Sequence, residues 1–207
     1  MKTDRQTTQP LKPLALLASR RFAPFFGTQF LGAFNDNLFK SAIMLIFVYG
    51  GLVASEQANI VVNAAAGLFI LPYFLFSALA GQIADKYEKS GLVRLIKVVE
   101  IVICLLGAAA VYLNSVVGML LVLFLLGVQS TFFGPLKYSI LPQQLAEHEL
   151  IGGNAQIEMG TFVSILLGTV VGGIVATQGS DAAIWLACLV VLVALVGYFS
   201  SRFIPHT

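Results

Sequence analysis

The chain has 207 residues, of which 58% are hydrophobic and only 11% charged. That composition belongs to polytopic membrane proteins. A net charge of +2, with no clustering of the bases, excludes a nucleic-acid binder. Cys104 and Cys188 sit inside apolar runs and read as small hydrophobes, neither a disulfide framework nor a metal set. No cofactor and no metal are expected.

Residues 1–21 are polar and basic and form the N-terminal segment. Leu11 to Ser19 is an apolar piece broken by Pro13, too short to span and suited to the membrane interface. The first span, residues 22–49, is about 40 Å long as a helix. It cannot be a secretory signal, being too long, charged, and without a small-residue cleavage pattern. Its middle holds Asn35, Asp36, Asn37 and Lys40. A charge at mid-membrane costs roughly 2.5–3.5 kcal/mol on insertion scales. Asp36 lies about 21 Å into the helix, near the midplane, and Lys40 follows on the same face. Two readings stay open: an ion pair that locks the helix in place, or the polar lining of a transport path.

The second span is residues 59–84, with a kink expected at Pro72. A short charged loop, DKYEKSG, leads to the third span, residues 92–113, which carries Glu100. Asn114 and Ser115 make a tight turn. The fourth span, residues 116–141, ends in FFGPLKYSIL, where Gly134–Pro135 predicts a bend or break beside Lys137. The fifth, residues 152–177, carries Glu158 and a face of small residues: Gly160, Ser164, Gly168, Gly172 and Ala176. Such a face lets a neighbouring helix approach closely, for static packing or for sliding. The sixth is residues 182–203, flanked by interfacial Trp185 and Tyr198, and residues 204–207 form a tail.

With the N-terminus in the cytoplasm, the inner regions hold eleven bases: Lys2, Arg5, Lys12, Arg20, Arg21, Lys86, Lys89, Arg94, Lys97, Lys137 and Arg202. The outer loops hold none. The expected fold is therefore an all-α membrane protein of six transmembrane helices, with both termini cytoplasmic. Its halves, residues 22–113 and 116–203, enter the membrane from opposite sides, as in a 3+3 inverted repeat.

Three motifs carry a family resemblance. The loop after the second span, GQIADKYEK, places Gly81, Asp85, Lys86 and Lys89 as in the signature loop of the major facilitator superfamily, with Glu88 in place of a glycine. Gly81 would permit close helix approach, and Asp85 would bond a facing helix end. Gly168, Gly172 and Gly173 resemble the superfamily's fifth-helix glycine motif, with Thr169 where a proline is usual. The superfamily's fourth-helix arginine is absent, and Gln129 is the polar residue in that core. FLGAFNDNLFKSA (residues 30–42) and FFGPLKYSILPQ (residues 132–143) are similar to the lysophospholipid transporter branch, which includes stand-alone flippases and fusions to an acyltransferase and an acyl-carrier-protein synthetase. The resemblance implies movement of lysophospholipids, chiefly lysophosphatidylethanolamine, across a bacterial inner membrane for re-acylation. It also implies that this chain matches the N-terminal six-helix half, so that a second half must come from a longer chain, a partner chain or a second copy.

The substrate or ion path is expected at Asp36, Asn35, Asn37, Lys40, Glu100, Lys137 and Glu158. Asp36 would hold an ethanolamine ammonium or a coupling cation. Lys40 would neutralise Asp36 or meet a phosphate. One of Asn35 and Asn37 would bond a neighbouring helix. Tyr73, Phe74 and Phe76 would flank an acyl chain or face lipid. Enzyme readings fail on the residues: a six-span serine protease needs a histidine inside the bundle, whereas His148 and His206 lie outside the apolar runs. Gly152 and Gly153 stand where an acyltransferase would place aspartate after His148. A catalytic domain would have to lie beyond Thr207. A transporter of another solute or drug is the competing function.

Overall fold

The computed structural model describes residues 13–206. Six helices are long and apolar enough to cross a membrane. They are α1 (Ala23–Tyr49), α2 (Ser55–Lys86), α3 (Lys89–Tyr112), α4 (Val116–Ser139), α6 (Leu150–Ala176) and α7 (Ala182–Arg202), with a single turn, α5 (Leu141–Gln144), between the fourth and fifth. Lys2, Arg5 and Lys12, counted for orientation, lie outside the described residues. The piece around Pro13 forms a turn whose Leu16 is buried among the apolar residues at one end of the bundle.

Local chemistry sets the ends. The α2–α3 connection is only Tyr87 and Glu88. Glu88 occupies the place of the absent glycine and caps α3, accepting from the Ser90 backbone N–H at 2.9 Å and the Gly91 N–H at 2.5 Å. Those donors have no partner inside the helix, so the carboxylate makes the turn tight without a flexible residue. Asn114 takes a left-handed conformation (φ 51°), which asparagine tolerates, and Ser115 caps α4 through the Gly118 N–H. The break expected at Gly134–Pro135 is not there. α4 is helical through both residues to Ser139, and the chain turns at Ile140 ahead of Pro142. Pro135 costs one backbone bond, whereas Pro142 sits in the first turn of α5, where a missing N–H costs nothing.

The helices pack in a ring of neighbours. α1 lies between α6 and α7, α7 against α3, α3 against α4, and α4 against α2. The interior is stratified. One apolar core near the Tyr49 end gathers Phe39, Ile43 and Phe47 of α1 with Ile103, Leu123 and Val190. A second, at the opposite end, gathers Phe22 and Phe25 with Val93, Leu136 and Ile204. Between them α1, α3, α4 and α7 contribute a layer of buried polar residues and glycines: Gln29, Gly32, Asn35, Asp36, Lys97, Glu100, Gln129 and Gly197.

Candidate functional site

The polar layer is built around an ion pair. Lys97 and Glu100 are one turn apart on α3, so their side chains meet along the helix surface. The Lys97 Nζ lies 2.6 Å from Glu100 Oε2, and the side chains are 1% and 0% exposed. Space for the ammonium comes from Gly32 of α1, where a Cβ would stand 2.6 Å from Nζ; at Gly197 of α7 a Cβ would make only ordinary contact, at 3.5 Å. The ammonium also lies 5.7 Å from the centre of the Phe133 ring. Glu100 accepts further bonds from Gln129 Nε2 at 3.1 Å and Asn35 Nδ2 at 3.4 Å. Asn35 Nδ2 also donates to the Val190 carbonyl at 3.1 Å and approaches Cys104 Sγ at 3.2 Å.

Asp36 sits beside this pair and is 6% exposed. Its Oδ2 accepts from the Ser130 hydroxyl, while its Oδ1 is buried without a hydrogen-bond partner. The same hydroxyl lies 3.3 Å from Gln129 Oε1, so a single proton faces two acceptors. Lys40, expected to neutralise Asp36 or to meet a phosphate, makes no ion pair with it. Among the described residues the ion pairs are Arg21–Glu149, Lys97–Glu100 and Lys137–Glu158. Lys40 instead turns toward α2, its Nζ 4.8 Å from the centre of the Phe69 ring, where the face of the ring attracts a cation. Of the flanking amides, Asn35 crosses to other helices, and Asn37 donates to Ala33 O of its own helix at 2.8 Å.

A second polar cluster lies toward the Arg21 end, between α1, α4 and α6. Lys137 Nζ is 2.8 Å from Glu158 Oε1 and donates to Thr161 Oγ1 at 3.2 Å. Tyr138 OH donates to Glu158 Oε1 at 2.8 Å, and Gln29 Nε2 to Thr161 Oγ1 at 2.5 Å. The cluster is open, with the Glu158 side chain 41% exposed. Gln29 is seven residues before Asp36, so the two share a face of α1 about 10 Å apart. Sequence position placed Glu100 and Glu158 together in one path, whereas the structure puts them in separate clusters.

The small-residue face of α6 rests on α1. A Cβ at Gly168 would strike the Phe34 carbonyl oxygen and stand 3.1 Å from Leu38 N, and one at Gly172 would stand 2.5 Å from Leu38 O. At Gly160 the obstacle is the Phe26 ring, at 2.6 Å. Gly173 is not at a close approach, its nearest neighbour being a Leu45 methyl at 3.7 Å. Gly81 is not either: nothing lies within 4 Å of its Cβ position. Asp85 is exposed and joins none of the three ion pairs, Lys86 lies over the Tyr87 ring at 5.6 Å, and Lys89 opens α3. Phe74 is 81% exposed and faces outward, while Phe76 stacks on Phe132 of α4.

Lys97 and Ser130 belong to the polar layer around Asp36, and sequence reading missed both. Lys97 was counted among the bases outside the membrane, although a lysine three residues before a glutamate in an apolar run signals a buried pair. Ser130 follows Gln129 in the otherwise apolar LVLFLLGVQSTFF, a visible polar interruption.

The chain is 30% identical over 179 residues to the lysophospholipid transporter LplT of Enterobacter sp. (strain 638), a match that covers 86% of this chain and 41% of that protein. It is 32% identical over 179 residues to LplT of Salmonella schwarzengrund (strain CVM19633), with the same coverage. It is 29% identical over 192 residues to LplT of Yersinia pestis (strain Pestoides F), covering 92% of this chain and 43% of that protein. The chain is similar to these lysophospholipid transporters over most of its own length. It spans about two fifths of the length of these relatives. No family model matches the chain, and no solved structure matches it. The resemblance carried by residues 30–42 and 132–143 is thus borne out across most of the chain, and those two stretches supply Asp36, Lys40 and Lys137.

Proposed function

We propose that this chain is the six-helix half of a secondary transporter that moves lysophospholipids such as lysophosphatidylethanolamine across a bacterial inner membrane for re-acylation. The observation that carries the reading is the state of Asp36. A carboxylate at mid-span, expensive in a bilayer, keeps one oxygen without a partner although Lys40 is four residues away on the same helix. A head-group ammonium entering the low-dielectric interior loses its hydration, and the free carboxylate oxygen replaces part of it. Lys137, about 10 Å nearer the Arg21 end along α1, offers a cation to the phosphate as the head group advances, with Glu158 holding that lysine in the meantime. A second six-helix half supplies the other wall of the path.

Asp36→Asn tests this reading in the full-length protein. It keeps the shape and most of the hydrogen bonding, and it should abolish lysophospholipid uptake in spheroplasts while membrane expression stays near normal. Uptake at the parental rate would remove Asp36 from the path. The proposed orientation follows from the basic residues: a reporter fused after Thr207 should be cytoplasmic, and one inserted at residues 178–181 external, so the reverse pattern would overturn it.

A further inference from the structure

We infer that the buried Lys97–Glu100 pair is the positioning device of the Asp36 site: it sets the rotation of α1 and α4 so that Asp36 and Ser130 face each other. The inference rests on the reading of Asp36 as the head-group site.

The argument begins with which residues the pair holds. Glu100 accepts from Asn35 of α1 and from Gln129 of α4. These are the immediate chain neighbours of Asp36 and Ser130, the two residues that meet at the candidate site. Successive residues on a helix point about 100° apart. A helix turned to present Asn35 to Glu100 therefore presents Asp36 to the next sector, and the same holds for Gln129 and Ser130. One carboxylate on α3 thus fixes the rotation of two helices that have little direct contact with each other. Lys97 keeps that carboxylate in place and is itself held by the gap at Gly32, which keys it to α1.

Stability does not account for the arrangement. Replacing a buried ion pair with apolar side chains of similar volume is often neutral or stabilising, and apolar cores lie directly above and below this layer. What apolar residues cannot supply is a directional tie to two specific amides. Lys97 and Glu100 are positioning residues here, since neither is placed against the substrate.

The test is the double variant Lys97→Met with Glu100→Leu in the full-length transporter, which removes both charges together and leaves none unpaired. In proteoliposomes its KM for lysophosphatidylethanolamine should rise about tenfold while kcat changes less than about threefold, because the ground-state site is misaligned. Spin labels on Val48→Cys of α1 and Val117→Cys of α4, with exposed Cys188→Ser and buried Cys104 retained, should show a broadened distance distribution. A folded double variant with the parental KM and the parental distribution would show the pair to be filler. Gln129→Leu, which cuts one tie and keeps the ion pair, should raise KM several-fold, and an unchanged KM there overturns the inference even where the double variant does not fold. Asp36→Asn run alongside separates the two readings: a parental KM in that variant sinks the head-group assignment, while the label distances alone still decide the clamp.

Discussion

The two faces of α1 are built from opposite materials. Toward α6 the contact is short-ranged: Gly168 and Gly172 bring the backbones so close that no side-chain atom fits between them, and the cross-helix bonds run from Ser41 Oγ to Thr169 O at 3.0 Å and, nearer the Arg21 end, from Gln29 Nε2 to Thr161 Oγ1 at 2.5 Å. Toward α3, α4 and α7 the contact is a network of an ion pair, two amides and a hydroxyl. Lipid is as apolar as leucine, so neither face is driven by the hydrophobic effect. The first relies on dispersion and shape, which fix how near two helices lie. The second relies on directional bonds, which fix how each helix is rotated. Distance and rotation of the same helix are thus specified by separate surfaces, and the second carries the unpartnered Asp36 Oδ1.

Substitutions that damage one face and spare the other can break this contrast. The largest loss is expected on the polar face from Lys97→Met alone. Glu100 would stay buried with its counter-charge gone, at a cost of about 3–5 kcal/mol. Thermal unfolding of the detergent-solubilised protein should show a drop that the double variant with Glu100→Leu reverses. A single variant as stable as the double would mean that water reaches Glu100.

On the α6 face the expected effects form a graded series. Gly172→Ala drives a methyl into the Leu38 carbonyl and should cost about 1–3 kcal/mol. Gly160→Ala meets a phenylalanine ring that can rotate aside, so its cost should be smaller. Gly173→Ala meets only ordinary contact and should stabilise by about 0.5–1 kcal/mol, the usual advantage of alanine over glycine in a helix. Equal effects at the three positions would show that α6 does not seat on α1 in this register.

The smallest effect belongs to the open cluster. Glu158 is 41% exposed at its side chain, so Glu158→Gln should change unfolding by less than about 1 kcal/mol. A loss as large as that of Lys97→Met would place Glu158 in the interior alongside Glu100.

The spans were legible because a run of about twenty apolar residues matches the thickness of a bilayer and exceeds what a soluble core of this size can bury. The small-residue face of α6 was legible for the same kind of reason, since a four-residue repeat of glycine and serine marks a surface even when its partner is unknown. The identity of Lys40's partner was not. Spacing of four allows a bond to Asp36, but it does not say that an aromatic ring on α2 competes for the ammonium. Lys97 was misplaced because a basic residue two turns from a helix end reads as a snorkelling side chain, and only the glycine at position 32, remote in sequence, shows that it has room to point inward. Glu88 shows the reverse case. A residue that looked like a lost turn glycine supplies a cap by another chemistry.

The room made for the Lys97 ammonium ties two distant positions into one inheritance. Gly32 is small because a lysine tip occupies the volume its side chain would fill. An ancestor that enlarged this glycine would have had to move the ammonium away from Glu100. Substitution at residue 97 should therefore open position 32 to alanine or serine in descendant sequences, whereas position 197, where a Cβ makes only ordinary contact, is free to change with or without the lysine. A lineage that retains Lys97 should hold Gly32, however freely the lipid-facing residues around it drift.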